Sequence, residues 1–206
     1  MEISTDSFLS IANESRGIYR EKASKFIAIA LPVSTEDEVK EKLDELRKTY
    51  HDANHHCYAY RLGLGNQLYR MNDDGEPSGS AGKPIYGQIL STGLSDILVV
   101  VVRYFGGTKL GIPGLIHAYK TSAREALDQA EIFEKVIVVQ FRVSFDYVRM
   151  NEIMRILKDE GVKIIHQSAG ELCEIDFRVR KNRQNQVENR VKKLTNVLMK
   201  IVDTHN

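Results

Sequence analysis

The chain has 206 residues, of which 42% are hydrophobic and 28% charged, with a formal net charge of +1. This is the profile of an ordinary soluble globular protein of one large or two small domains. No apolar run approaches the ~20 residues that span a bilayer. The start, Met1 to Asp6, lacks the basic and apolar stretches of a signal peptide, so a cytoplasmic location is expected. Two cysteines, Cys57 and Cys173, are too few for a disulfide framework and read as buried thiols. Charge is uneven: residues 1–135 carry 16 Lys+Arg against 19 Asp+Glu, and residues 136–206 carry 13 against 9. The basic C-terminal part reads first as a solvated surface and second as a nucleic-acid contact.

Residues 1–15 read as a weakly structured lead-in. Phe26–Leu31 is a predicted strand ended by Pro32. Thr35 and Glu38 have capping-box spacing, and Val39, Leu43, Leu46 and Tyr50 then make one apolar helical stripe. Residues 54–62 read as a strand, Gly63-Leu64-Gly65-Asn66 as a turn, and residues 67–71 as its hairpin partner. A short helix is predicted over Ile85–Leu90 after Pro84. Ile97–Val102 is apolar throughout, the mark of a strand buried on both faces. Pro113 and Gly114 open a helix that runs to about Ala130.

A second unit starts near Lys135. Residues 136–145 alternate as a strand, and 148–160 form a helix closed by Gly161. Residues 162–167 and 171–180 are two strands, and a final helix from about Arg183 turns Val187, Val191, Leu194 and Leu198 inward. The order β-α-β-β-α describes a sheet with two helices on one face, as in ferredoxin-like folds. The reading is α+β, with domains at 1–134 and 135–206.

Two glycine-rich loops of opposite charge flank the apolar strand. The first runs Asp73-Asp74-Gly75-Glu76-Pro77-Ser78-Gly79-Ser80-Ala81-Gly82-Lys83-Pro84 and the second Arg103-Tyr104-Phe105-Gly106-Gly107-Thr108-Lys109-Leu110-Gly111-Ile112-Pro113-Gly114. A strand, glycine loop and helix start in series point backbone N–H groups outward and suit anions. Arg103, Thr108 and Lys109, with Gly106, Gly107 and Gly111, are the candidate anion site. His117, Lys120 and Arg124, at i, i+3 and i+7, extend it along one helix face. Neither a Walker A loop nor the dinucleotide G-x-G-x-x-G spacing is present, so no nucleotide cofactor is indicated.

Asp73, Asp74 and Glu76 offer oxygen ligands for Mg²⁺ or Ca²⁺. They miss the calcium-loop spacing, and turn chemistry or partner docking is the preferred reading, with no metal assigned. Ser78 and Ser80 as nucleophiles would need a base, and Gly-Ser-Ala-Gly is not a nucleophile elbow. His51, His55, His56 and Cys57 lack the further ligands of a zinc site and read as a polar strand face, with His55 and Cys57 on one side.

The runs His51–Arg61, Asn72–Pro84 and Val100–Gly111 resemble the signature of the YigZ/IMPACT family. The resemblance covers the whole chain. It implies an N-terminal domain resembling the ribosomal-protein/RNase PH-like superfold and a C-terminal domain similar to the last domain of elongation factor G. Eukaryotic relatives regulate translation by competing for a protein activator of an initiation-factor kinase, while bacterial relatives have no settled activity. This chain departs from the family's G-G-L-x-R-A-Y segment, carrying Pro113 for a glycine and His117 for an arginine. Any phosphate contact made there is expected to be weaker or pH-dependent.

The leading expectation is a non-enzymatic regulator that binds RNA, the ribosome or a translation factor. Its contacts are the basic loop and helix, with the acidic loop of Asp73, Asp74, Glu76 and Ser78 shaping the groove or docking a basic partner. The alternatives are a metal-assisted phosphoester hydrolase or phosphoryl-transfer enzyme using both loops, and a protein-interaction module without nucleic acid. No cofactor is expected.

Overall fold

A computed structural model describes residues 6–65 and 68–205. The chain divides into two compact units. One is Phe8–Lys135, and the other takes in Asp6, Ser7 and residues 136–205.

The first unit is built on a five-stranded antiparallel sheet. Its strands are β2 (Ser15–Glu21), β3 (Ser24–Pro32), β4 (His55–Leu62), β5 (Leu68–Asn72) and β6 (Ile97–Tyr104), in the order β2-β3-β6-β4-β5. The all-apolar run expected to be buried on both faces is β6, the central strand. Helix α1 (Glu36–Thr49) covers one face, packing Val39, Leu43 and Leu46 on Ile29, Tyr58, Val100 and Val102. Helices α2 (Gly82–Thr92) and α3 (Gly111–Asp128) cover the other, over Phe26, Cys57, Val99 and Val101. That second face carries Ala28, Ala30 and Ala59, which leave room for two helices. Gly17 shows how close the approach is: a Cβ there would lie 2.5 Å from the Ala126 amide nitrogen of α3. Capping fixes the start of α1, since the Thr35 hydroxyl accepts from the Glu38 amide at 3.2 Å.

The lead-in contains more structure than its composition suggests. β1 (Ser7–Ile11) pairs with β7 (Ile132–Val136) in a separate two-stranded sheet. β2, unassigned by pattern, pairs in full with β3. The turn between them puts Lys22 and Ala23 at φ 45° and 63°. Glycine or asparagine normally marks such a turn, so its sequence signal is absent. The hairpin residue at position 67 lies outside the described residues.

In the second unit, β8 (Val138–Phe145), β9 (Lys163–Ser168), β10 (Cys173–Arg180) and β11 (Val197–His205) form an antiparallel sheet in the order β11-β8-β10-β9. Helices α4 (Met150–Asp159) and α5 (Gln184–Val191) contribute Ile153, Leu157, Val187 and Val191 to one core with Phe141, Val143, Ile175 and Phe177. The final helix stops earlier than expected, and Leu198 is not an inward helical residue. It lies on β11 and is 75% exposed. Asn196, at φ 59°, sits in the turn that leads into β11. A register shift between Ile201 and Asp203 spoils the alternation that would mark a strand. The order is therefore β-α-β-β-α-β. Among the described residues, no helix is long and apolar enough to cross a membrane.

Phe177 is fully buried and stacks on Phe141 at 5.7 Å between ring centroids. Phe177→Ala should cost about 3–5 kcal/mol. Hydrogen exchange should quicken across residues 138–191 and stay slow in Ile27–Leu31. A uniform loss of protection in both units would contradict this division of the chain.

Candidate functional site

The acidic loop is tied inward by its own carboxylates. Asp73 Oδ1 accepts from the amides of Ala81 (3.0 Å) and Gly82 (2.8 Å), and Oδ2 from the amide of Gly79 (2.8 Å). One side chain thus closes the loop and supplies the start of α2 with the cap its own N-cap residue, Ala81, lacks. Asp74 Oδ2 accepts from the amide of His56 at 2.6 Å. Glu76 points the other way and is buried. Ser78 is exposed, while Ser80 is buried and donates to the Pro77 carbonyl. The three carboxylates do not converge, and among the described residues no cluster of three His, Cys, Asp or Glu could hold a metal ion.

Glu76 and Arg103 join the two loops. Arg103 Nη1 donates to Glu76 Oε1 at 2.5 Å, and both side chains are at least nine-tenths buried. The guanidinium lies over the rings of Phe26 and Phe105, at 5.4 and 5.5 Å from their centroids. The Tyr119 hydroxyl donates to the same Glu76 oxygen at 2.7 Å. Behind it, Cys57 Sγ lies 3.3 Å from the Tyr119 oxygen and 3.0 Å from the Asp73 carbonyl oxygen. Burial pushes both the Cys57 thiol and the Tyr119 phenol well above their usual ranges. Both are neutral at physiological pH, so neither is an activated nucleophile.

Sequence reasoning expects Arg103 to offer surface charge to a phosphate. Here its charge is committed to Glu76, and it forms the floor of a site instead. The rest of the basic loop stays outside. Gly106 packs against the β2–β3 turn, where a Cβ would lie 2.1 Å from the Ala23 carbonyl carbon. Gly107 and Gly111 have φ of 83° and 72°, which favours glycine. Thr108 and Lys109 are exposed, as are His117, Lys120 and Arg124 on α3. His117 sits edge-on to Tyr19, with ring centroids 5.7 Å apart, and Arg124 pairs with Asp128 at 2.8 Å.

Between the loops lies a cavity of about 450 Å³. Asn54, His55, Glu76 and Arg103 supply its polar groups, Phe105, Leu110, Ile112 and Leu115 its apolar walls, and Lys109 lines it as well. The start of α3 borders the cavity with no side-chain cap. Such a cavity, mostly apolar with a few placed polar groups, is the usual form of a binding pocket. Its donors, Lys109 and the uncapped amides of α3, favour an anionic group.

His55 is the part of this site that the sequence alone presents as a polar strand face. Its Nδ1 lies 2.8 Å from the Asp74 carbonyl oxygen and therefore carries the proton that donates there. Nε2 is left 3.8 Å from Glu76 Oε1. The alternation of β4 held the signal, since His55 and Cys57 share the α3-facing side. His56, on the opposite side, is buried with its Nε2 unpartnered. Tyr119 falls on the apolar stripe of α3 with Leu115, Ala123 and Ala126, and nothing in that spacing marks it as part of a site.

Fold and site together define a two-unit α/β protein with one preformed pocket between glycine-rich loops. The Impact N-terminal domain family matches residues 22–127, which holds both loops and β6. IMPACT family member YvyE of Bacillus subtilis is 37% identical over 175 residues, 84% of this chain and 80% of its own. IMPACT family member YigZ of Escherichia coli is 34% identical over 147 residues, 70% of this chain and 72% of its own. A crystal structure described as that of a hypothetical protein superposes with a TM-score of 0.70 at 26% identity, over 97% of this chain and 98% of its own. Eukaryotic IMPACT homologues match over about half of this chain and under half of their own length. The chain belongs to the IMPACT family.

Glu76→Ala would leave the Arg103 charge buried and unpaired, at a cost of about 3–5 kcal/mol. Replacing both together, Glu76→Leu with Arg103→Met, should recover most of that loss in urea denaturation. An E76A protein as stable as the parent would contradict the pairing. A second expectation concerns pH. Burial holds the His56 imidazole below its ordinary pKa of 6.5. The unfolded chain then binds the extra proton first, so stability falls as pH drops below 6.5. His56→Leu should flatten this slope between pH 6.5 and 5, where carboxylates remain ionised.

Proposed function

We propose that this chain is a non-enzymatic, translation-associated regulator. It binds RNA, the ribosome or a translation factor through the loop 103–111 and the exposed face of α3. The observation that carries this reading is the division of labour in the basic loop. Arg103 is buried and fixes the shape, while Thr108, Lys109, His117, Lys120 and Arg124 are exposed for contact. Family membership supports a role in translation, because eukaryotic IMPACT homologues match about half of this chain. The proposal extends to the finer fold resemblances: a ribosomal-protein/RNase PH-like domain over 1–134, and a ferredoxin-like domain over 135–206 akin to the last domain of elongation factor G. Both resemblances are to proteins that work on RNA or the ribosome, and the location proposed is cytoplasmic.

The metal-assisted phosphoester hydrolase is the weaker reading. It needs Asp73, Asp74 and Glu76 around one ion, and the residues do not fit that group. Asp73 and Asp74 accept backbone amides, and Glu76 accepts from Arg103 and Tyr119. One observation favours a protein partner over nucleic acid at this surface. Phe105 and Ile112, both lining the cavity, are 45% and 54% exposed, as an apolar anchor residue would require.

Co-sedimentation with ribosomes and their subunits across a salt series tests the proposal. Binding should occur at low salt and be lost on Lys109→Glu with Lys120→Glu. Steep weakening with salt marks phosphate contacts, and a shallow response marks a protein contact. No binding of the parent at low salt would sink the ribosomal form of the reading.

A further inference from the structure

The C-terminal sheet ends in a groove of about 630 Å³ at the start of β8 and the end of β10. Lys163, Arg178, Arg180 and Arg183 line it. In the β9–β10 register, Lys163 sits directly opposite Arg178. Like charges placed directly across a ladder destabilise it, and an anion bound between them would relieve that cost. None of the four cations makes an ion pair among the described residues. The carboxylate that lines the groove, Glu160, is committed elsewhere: its Oε1 accepts from Arg190 at 2.7 Å and from Gln186 at 3.2 Å. A second like-charged pair in the same sheet, Arg142 opposite Lys200, shows the contrast. There Asp176 binds Arg142 through both oxygens, at 2.7 and 2.8 Å. The sheet neutralises one such pair with a carboxylate and gives the other a neutral acceptor, since Arg178 Nε donates to Gln140 Oε1 at 3.2 Å.

We propose that this groove binds the sugar-phosphate backbone of double-stranded RNA, without reading sequence. Charge complementarity names the phosphates. The form of the RNA follows from what the sheet lacks. Single-stranded RNA is held by stacking its bases on aromatic side chains. The phenylalanines and tyrosines of residues 136–206 are Phe141, Phe145, Phe177 and Tyr147. The three phenylalanines are in the core, and Tyr147 follows β8 at the end opposite the groove. On β8 and β10, the residues facing away from the helices are polar: Gln140, Arg142, Ser144, Glu174, Asp176 and Arg178. With no ring lining the groove to stack a base, the surface suits the regular phosphate rows that a duplex presents.

This inference deepens the nucleic-acid branch of the reading above at a separate surface, and its test is built to fail separately. The full chain is titrated with a 20-base-pair RNA duplex of arbitrary sequence and with either strand alone, across a salt series. The parent should prefer the duplex, with affinity falling steeply as salt rises. Lys163→Glu with Arg180→Glu should weaken duplex binding at least tenfold and reduce the salt slope by about two, roughly one per lost phosphate contact. The Lys163→Glu change gives Arg178 an acidic partner and removes the like-charge clash. The melting temperature should therefore hold or rise, which separates lost binding from lost folding. Lys193→Glu, at an exposed cation outside the groove, should bind like the parent. Equal binding by parent and K163E/R180E would overturn the groove, as would tighter binding of the single strands. If K109E/K120E abolishes duplex binding and K163E/R180E does not, the contact belongs to the N-terminal unit and the groove proposal fails alone.

Discussion

The buried Glu76–Arg103 pair is the contact on which the arrangement of the site depends. Moving both charges out of water costs several kcal/mol, and the pair is tolerable only if every remaining bond is made. The structure meets that demand in layers. Tyr119 supplies a second donor to Glu76, and Phe26 and Phe105 lie against the guanidinium. Asp73 and Asp74 fix the backbone of the loop that presents Glu76. The pair thereby ties the acidic loop, the end of β6 and the middle of α3 together. A hydrophobic pair of similar volume would give as much stability. The ion pair adds direction, because it accepts one geometry of the two loops.

That constraint separates the charges of the site into two kinds. Arg103, Glu76, Asp73 and Asp74 hold shape. Lys109, Lys120 and Arg124 meet solvent. A binding surface made this way is preorganised, since the loop that carries Lys109 is already pinned at Gly106 against the β2–β3 turn. Gly106 is required by packing, and Gly107 and Gly111 by their backbone conformation. The second unit carries its own unneutralised cations at one end of a different sheet. Two modest electrostatic contacts on one chain can bind far more tightly together than either alone.

Much of the fold was legible because it follows from periodicity. The stripe Val39, Leu43 and Leu46, the all-apolar β6 and the alternation of β8 and β10 each match one burial pattern. What was missed lacked a local signal. The β2–β3 turn uses Lys22 and Ala23 where glycine or asparagine is usual, and β1 gains its partner from residues more than a hundred positions away. β11 was hidden because Leu194, Leu198 and Ile201 continue the spacing of the preceding helix. At the site, the two loops were evident from composition, and the turn chemistry of Asp73 followed from the residue type. Burial of Arg103 could not be read, since it depends on Phe26, Glu76 and Tyr119 arriving from three other elements. His55 entered the site for the same reason.

The most direct test of this account is side-chain NMR of Arg103 and Tyr119 in the intact protein. If the pair locks the loops, the Arg103 guanidinium should show resolved, slowly exchanging Nη protons. The Tyr119 hydroxyl proton should be visible and protected from solvent, and both should persist when Lys109 and Lys120 are reversed. Averaged Arg103 resonances and a Tyr119 proton lost to rapid exchange would mean that the guanidinium is free. The cavity would then have no fixed floor, and Arg103 would rejoin the exposed cations as a contact residue.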